Sequence, residues 1–343
     1  GKVAGLSVVN NGTPGASPDI RIRGTISIGS VRPLFVVDGI FQDNIDYLNP
    51  NDIESLEVLK DPSSLAIFGV KGAPGVIAIT TKKAKSGQVI VNFNTSYGVK
   101  QMVDKIKMAS GDQFREILAE EGRNQAFDNA ANTGINDFIA NGLQNYTGNT
   151  DWVDALTRTA RQNTNNISVN ASTEKNRFNM GLGYTSDEGL VKHVRYQRLT
   201  IALADEFKVS KNIKIGFTAN GSREKAPYDG NSALAEARKI VPIVDDGTKP
   251  FYVRNPYGGI TDSSFENIYS SLPNLQNSLA NPLLILEKNW DTRRNITSRI
   301  VGSIYADITF LRDFNFRATL YADNSWGDNR KYNPLYYAYD PGA

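Results

Sequence analysis

Residue types able to do covalent chemistry are scarce in this 343-residue chain. It contains no cysteine and one histidine, His193. Thiolate catalysis, disulfides and cysteine metal sites are therefore excluded, and a histidine-bearing triad would have to use His193. This residue lies between Lys192 and Val194 in a polar connection, where we expect a surface loop residue. We predict no enzyme activity, with a hydrolase kept as an alternative that turnover of a glycan panel would reveal.

Metal and nucleotide sites are not predicted either. The Asp-Asp-Gly run at 245–247 resembles a fragment of a calcium loop, but it lacks the spacing and terminal glutamate of an EF-hand. We interpret it as a turn. The Gly-Leu-Gly sequence at 181–183 does not open a helix, as a phosphate-binding loop requires. We therefore predict neither a metal nor another cofactor.

Two arginines in the N-terminal part are candidates for binding carboxylates on another part of the protein. Apolar and charged residues alternate over 19–24, so Ile20 and Ile22 share one face of a strand, and Arg21 and Arg23 share the other. The arginines either pair with carboxylates on a facing surface or lie at a solvated strand edge. Both interpretations stay open.

A set of aromatic residues forms the second group of candidate binding residues. Flat amphipathic rings suit sugar faces, but they also suit membrane-interface girdles and contacts with a lid. The candidates for substrate binding are Trp152, Tyr332, Tyr336, Tyr337 and Tyr339.

Charge and hydropathy narrow the class of protein. The net charge is +2, and acids and bases are interspersed along the chain, so no basic arm indicates a nucleic-acid partner. No apolar run approaches the about 20 residues of a membrane-spanning helix. The protein is therefore either soluble or enters a membrane as a β-barrel.

Residues 1–86 alternate short strands with short helices, which predicts a compact α/β unit. Helical turns are predicted where Asn49 precedes Pro50 and where Asp61 precedes Pro62, the second ending at Gly69. The predicted strands are 6–9, 19–24, 34–37, 54–60 and 76–81.

From Gly87 onwards, apolar and polar residues alternate with the period of two that is typical of two-faced strands. We predict seven such strands, to be compared with the about 9 to 11 residues that a tilted membrane strand needs. Asp205 falls on an apolar face near a strand end, and we expect it at the level of the lipid headgroups. The predicted strands are 89–99, 167–172, 178–185, 196–207, 213–220, 296–308 and 314–326.

The connections favour a transmembrane β-barrel. Turns near 173–176, 209–212 and 311–313 are short and fall on one rim, whereas 100–162, 187–194 and 223–294 fall on the other, two of them very long. Helices are predicted in the long loops at 111–122 and 231–241. Because seven is odd, we expect 87–343 to be the N-terminal portion of a longer barrel. The alternative is a soluble, secreted glycan-binding protein with an α/β module and a β-sandwich.

Four segments in order, 20–24, 33–39, 49–61 and 69–83, resemble the plug domain of SusC/RagA-type TonB-dependent outer-membrane transporters of the Bacteroidota. Segments 150–152, 167–175, 183–189 and 196–198 are similar to the first barrel hairpins of the same family. The resemblance covers 1–100 and 150–221. It implies a plug domain over 1–86 and, over 87–343, a barrel portion in contact with outer-membrane lipid, with 100–162 and 223–294 as long extracellular loops.

The resemblance also implies a function. The complete protein would have a barrel of about 22 strands and would import oligosaccharides or peptides across the outer membrane. A SusD-like lipoprotein would cover the mouth, and TonB with ExbB and ExbD would supply energy. The Arg21 and Arg23 side chains would then contact the barrel wall and hold the plug.

Overall fold

The computed structural model describes residues 6–9, 12–22, 32–84, 87, 89–103, 105–128, 136, 139–140, 143–145, 148–243, 251–254, 260–264, 282–311 and 314–332. Within them lie a small mixed sheet, a wide antiparallel sheet and a group of short helices.

The N-terminal part, here called the plug, is built on a four-stranded sheet of order β4–β3–β6–β5, beside a two-stranded pair of β1 and β2. Strands β3 and β6 are central and parallel, and their apolar sequences leave Val37, Val76 and Ile79 buried. The plug strands are β1 (Leu6–Val9), β2 (Asp19–Ile22), β3 (Leu34–Val37), β4 (Ile40–Gln42), β5 (Ile53–Leu59) and β6 (Val76–Thr81).

Both predicted helical turns of the plug are present. Asn49 caps the 3₁₀ turn Pro50–Asp52 by accepting a hydrogen bond from the backbone N–H of Asn51. Helix α1 (Pro62–Leu65) continues as a 3₁₀ helix over Ala66–Gly72. The predicted end of this first stretch at Gly69 is confirmed, because the glycine leaves the helical conformation at φ 60° and ψ −151°, and a separate helical turn follows it up to Gly72.

Seven long strands form one antiparallel sheet, here called the wall, in which every strand pairs with its neighbours in chain order. The seven predicted strands are confirmed, and most extend further than predicted toward the rim of the long loops. A short hairpin of β12 (Phe251–Arg254) and β13 (Ile260–Ser264), which the sequence did not predict, lies in the second long loop. The wall strands are β7 (Val89–Lys100), β8 (Ala160–Ser172), β9 (Asn176–Glu188), β10 (Arg195–Lys208), β11 (Ile213–Lys225), β14 (Arg293–Phe310) and β15 (Phe314–Lys331).

The two faces of the wall have different environments. The apolar face is exposed: Phe93 is 66% accessible, Ile304 60% and Leu320 78%. The polar face carries the plug, as the contacts below establish. The β-sandwich alternative is therefore wrong, because a sandwich would bury these apolar rows against a second sheet. The fold is a plug domain followed by the antiparallel strands of a barrel-type sheet.

Short helices from the long loops pack into one apolar cluster, here called the loop body. Leu118, Leu156, Ala233 and Leu286 lie at its centre, each at most 2% exposed. Helix α2 begins with the predicted capping box, in which Ser110 and Gln113 exchange hydrogen bonds. The helices are α2 (Gly111–Asp128), α3 (Trp152–Leu156), α4 (Asn231–Ala237) and α5 (Pro282–Asn289).

Among the helices that the structure describes, none combines the length and the apolar character needed to cross a membrane.

Candidate functional site: the contact between plug and wall

An arginine of the wall makes the most extensive polar contact with the plug. Arg299 lies on the polar face of β14, and its guanidinium donates to Asn44 Oδ1 and, at 3.0 Å, to Gln42 Oε1 of the plug. The group lies 4.8 Å from the centre of the Tyr47 ring. Because β4 leads directly into the loop that carries Asn44 and Tyr47, the Arg299 side chain holds both this strand and this loop against the wall. We call Arg299 with these three plug residues the arginine contact.

Neighbouring wall residues hold Arg299 in place. Its Nε donates to Asp323 of β15 at 2.9 Å, and the Tyr321 hydroxyl donates to the same carboxylate at 2.9 Å. Gln42 in turn donates to the Tyr321 oxygen at 2.7 Å. The guanidinium is thus oriented by a carboxylate before it meets the plug, which makes its planar fork more selective than a lysine would be.

A second contact uses glycines of the wall. The Asn49 amide donates to Asn166 Oδ1 of β8 at 2.6 Å and lies 3.4 Å from Thr200 Oγ1 of β10. Between those strands, a Cβ on Gly183 of β9 would lie 2.2 Å from Asn49 Nδ2, and a Cβ on Gly181 would lie 2.8 Å from Asp52 Oδ1. The plug therefore fits only because β9 has no side chains at these positions. We call this the glycine notch.

The glycine notch covers a carboxyl group. Asp52 is 8% exposed, and burial raises the pKa of its carboxyl group, while the charge of Lys82 acts in the opposite direction. A raised pKa means that the protonated form is favoured when the plug is seated. The protonated Asp52 therefore favours the seated plug fully at a pH below the ordinary pKa of a carboxyl group. This stability is lost as the pH rises through the raised pKa.

The arginines predicted to contact the wall are placed differently. The Arg21 guanidinium pairs with Asp19 of the same strand at 2.6 Å, which raises the pKa of Arg21, and the side chain is 42% exposed. Arg23 lies outside the described residues. Contact of this pair with a wall stays a prediction. Sequence reasoning missed Arg299, although its place on the polar face of an alternating strand was the signal available.

The predicted aromatic residues are dispersed. Trp152 is 3% exposed inside the loop body, where its Nε1 donates to the Val241 carbonyl at 3.0 Å. Its ring faces protein, so this packing does not support contact with a substrate, which stays a prediction. Tyr332 is 67% exposed at the long-loop rim. The other candidates, Tyr336, Tyr337 and Tyr339, lie outside the described residues.

His193 lies in the tight turn between β9 and β10, as expected for a loop residue, but it is half-buried rather than free at the surface. Its ring stacks on Trp290 at 4.7 Å, and its Nε2 is 3.0 Å from Glu287. Among the described residues, no cluster of three or more acidic or histidine side chains is arranged to hold a metal ion. The turn at 245–247 lies outside them.

An α/β plug seated on the polar face of an antiparallel wall, whose other face is apolar and exposed, defines the class of plugged outer-membrane receptors. The family TonB-dependent Receptor Plug Domain matches residues 1–76. The TonB-dependent receptor SusC of Bacteroides thetaiotaomicron is 33% identical over 93% of this chain, and a TonB-dependent receptor of Formosa agariphila is 31% identical over 97%.

The fold agrees with these relatives. The structure of the RagAB peptide importer in its closed-closed state covers 99% of this chain and has a TM-score of 0.75 at 24% identity. The chain belongs to the SusC/RagA type of TonB-dependent receptors, which are proteins of the outer membrane. It spans 32% of the length of the Bacteroides relative, 31% of the Formosa relative and 40% of the matched importer chain.

Proposed function

We propose that this chain serves in the TonB-dependent import of oligosaccharides or peptides across the outer membrane. The observation that carries the proposal is the plug itself, which lies against the polar face of the wall through the arginine contact and the glycine notch. A solute moving along that face would meet the plug, so import requires the plug to shift. The chain therefore needs an energy source, but no covalent chemistry.

The proposed partners follow from the relatives. A SusD-like lipoprotein would cover the long-loop rim, and TonB with ExbB and ExbD would supply energy from the inner membrane. The matched RagAB protein is a peptide importer, and SusC is a TonB-dependent receptor. Peptides are proposed as substrates on the first likeness, and oligosaccharides on the sequence resemblance to SusC/RagA-type transporters.

Uptake by the full-length protein in its own host tests this proposal. Cells with and without the gene are given a radiolabelled oligosaccharide ladder or a radiolabelled tryptic peptide mixture. We expect one probe class to accumulate only when the gene is present, and accumulation to stop when a protonophore collapses the inner-membrane gradient. Equal uptake of both probes in both strains would contradict the proposal. Co-purification of a lipoprotein encoded beside the gene tests the partner.

Aromatic side chains are the proposed substrate contacts, namely Trp152 and four tyrosines in the sequence at and after position 332. Replacing Tyr332, Tyr336, Tyr337 and Tyr339 together with alanine should reduce uptake while leaving membrane insertion normal. Trp152 belongs to the same proposal, although its buried position gives its replacement a structural effect as well. Unchanged uptake in the tyrosine variant would show that these rings act as interface or lid contacts.

The plug arginines are proposed to hold the plug against a part of the wall. Replacing Arg21 and Arg23 together with alanine in the full-length protein should loosen the plug and admit large antibiotics that do not normally pass. Unchanged permeability would contradict a role of these two arginines in holding the plug.

A further inference from the structure

A cavity of about 230 Å³ separates the plug from the wall near the short-turn rim. On the plug side it is lined by the β3–β4 turn at Asp38 and Gly39 and by Lys83 and Ala84 after β6. On the wall side it is lined by residues of β9, β10, β11, β14 and β15. At about 30 Å³ per water molecule, the space is large enough for several waters.

The wall side of this cavity is a row of cross-strand neighbours. Gly216 on β11 has no side chain, and the Tyr305 ring occupies the space that one would fill. A Cβ at Gly216 would lie 2.4 Å from this ring. Tyr305 therefore reaches across β11, and its hydroxyl donates to Glu206 at 2.7 Å. Arg177 lies 3.7 Å from the same carboxylate. The register aligns Arg177, Glu206, Gly216, Tyr305 and Thr319.

Charges beside this row are also bonded along the wall. Arg317 donates to both oxygens of Asp307, each at 2.6 Å, and lies 4.7 Å from the centre of the Tyr305 ring. Thr218 and Ser303 share a hydrogen bond of 2.8 Å. On the plug side, the Asp38 carboxylate accepts from the Thr81 hydroxyl at 2.6 Å.

These bonds distinguish the cavity from the arginine contact and the glycine notch. If the plug moves away, the arginine contact loses hydrogen bonds from Arg299, and the glycine notch loses those of Asn49. The bonds of Tyr305 and Arg317 run along the wall and stay intact. A wall that keeps its own hydrogen bonds can face water or a passing solute without leaving buried polar groups unsatisfied.

We infer that this cavity is where the imported solute passes between plug and wall on its way out at the short-turn rim. The inference rests on the proposed function. The cavity suits a solute rich in hydrogen-bonding groups, because the hydroxyls of Thr319, Thr218 and Ser303 line it while Arg317 and Glu206 are engaged by partners on the wall. A second cavity, of about 300 Å³, is lined almost wholly by the plug, with Arg198 from the wall.

Site-specific photo-crosslinking in the full-length protein tests the inference. The photoreactive residue p-benzoylphenylalanine is placed at Thr319 in the cavity, at Phe316 on the outer face of the same strand, or at Ser96 on the polar face of β7 away from the cavity. Cells are illuminated while they take up whichever radiolabelled probe, oligosaccharide or peptide, the wild type imports. We expect label on the Thr319 variant, loss of that label with a protonophore, and none on the other two variants.

Two results would overturn the inference while leaving the proposed function intact: a Thr319 variant that imports the probe without capturing it, or equal capture at Ser96. Failure of the proposed function is separate, because the wild type would then import neither probe. If the bulky residue prevents insertion, Thr319→Cys in a full-length protein freed of any other accessible cysteine gives a second measure. Modification by a small charged methanethiosulfonate should abolish uptake in Thr319→Cys and not in Ser96→Cys, and unchanged uptake after complete modification would contradict the inference.

Discussion

Replacing Arg299 with glutamine should loosen the plug, because this side chain makes the arginine contact. The variant loses charge-assisted hydrogen bonds to Gln42 and Asn44 and the interaction with the Tyr47 ring. Hydrogen bonds to charged groups contribute about 1.5–3 kcal/mol each, and a cation–π interaction about 0.5–2 kcal/mol. These terms total about 3.5–8 kcal/mol, and water entering the vacated space recovers roughly two-thirds of that total, since it hydrogen-bonds the groups left behind. The expected net loss is about 2 kcal/mol, roughly 30-fold in the opening equilibrium.

Hydrogen exchange in the purified full-length protein measures this loss, since amide exchange follows local opening. Amides of β4 should exchange roughly 30-fold faster in Arg299→Gln, while those of β14 should not change. Arg317→Gln is the matched control: Arg317 has a bidentate aspartate partner and stacks on a tyrosine, but those partners lie on the wall. Equal exchange of β4 in the two variants would refute the reasoning, because it would mean that losing any arginine on this face loosens the plug.

Three further predictions address the glycine notch and the loop body. Gly183→Val should prevent the plug from seating, since even a Cβ would lie 2.2 Å from Asn49. The plug of this variant should then be protease-sensitive in an inserted protein. Gly98→Val is the control and should leave the plug resistant, because the nearest atom to a Cβ there is 3.8 Å away. Asp52→Asn should stabilise the seated plug at neutral pH, because the raised pKa of Asp52 means that ionising this carboxyl group in its buried site is unfavourable. The advantage should disappear in acid, where Asp52 is protonated. Hydrogen exchange of the plug that shows no such trend with pH would contradict this prediction. Trp152→Ala should destabilise the loop body by about 3–5 kcal/mol, seen as faster proteolysis of the long loops with unchanged exchange in the plug.

The wall was predictable from sequence where its two faces meet different environments. Alternation identified β9 over Phe178, Met180, Leu182 and Tyr184, because every second residue faces outward. It failed at the long-loop ends of the strands, such as 160–166 in β8, where the sequence is mostly polar although the pairing with β7 continues. Once polar residues occupy both faces of a strand, alternation disappears while the backbone hydrogen bonds persist. The predicted strands were therefore too short at this rim.

The candidate site was less predictable, because it depends on pairing between distant segments. The sequence offered Arg21 and Arg23 of the plug, which either contact a facing surface or lie at a solvated strand edge, since a charged row on a short strand is visible locally. The structure places a long-range arginine contact on the wall, at Arg299, whose partners Gln42 and Asn44 are 257 and 255 residues away in the chain. The glycine notch was equally hidden, because Gly181 and Gly183 have meaning only once Asn49 lies above them.

The distribution of polar bonds over the plug-facing side of the wall suits a plug that must be both retained and released. Arg299 and Asn49 bond from one unit to the other, so each holds the plug only while it is seated. Nearer the short turns, Tyr305 and Arg317 bond to their own wall, so the plug can leave that region without breaking their bonds. Separation should therefore begin at the short-turn rim and end when the direct contacts break. The Arg299 variant should consequently make release easier without changing where it starts, and faster exchange that begins at the glycine notch instead would contradict this order.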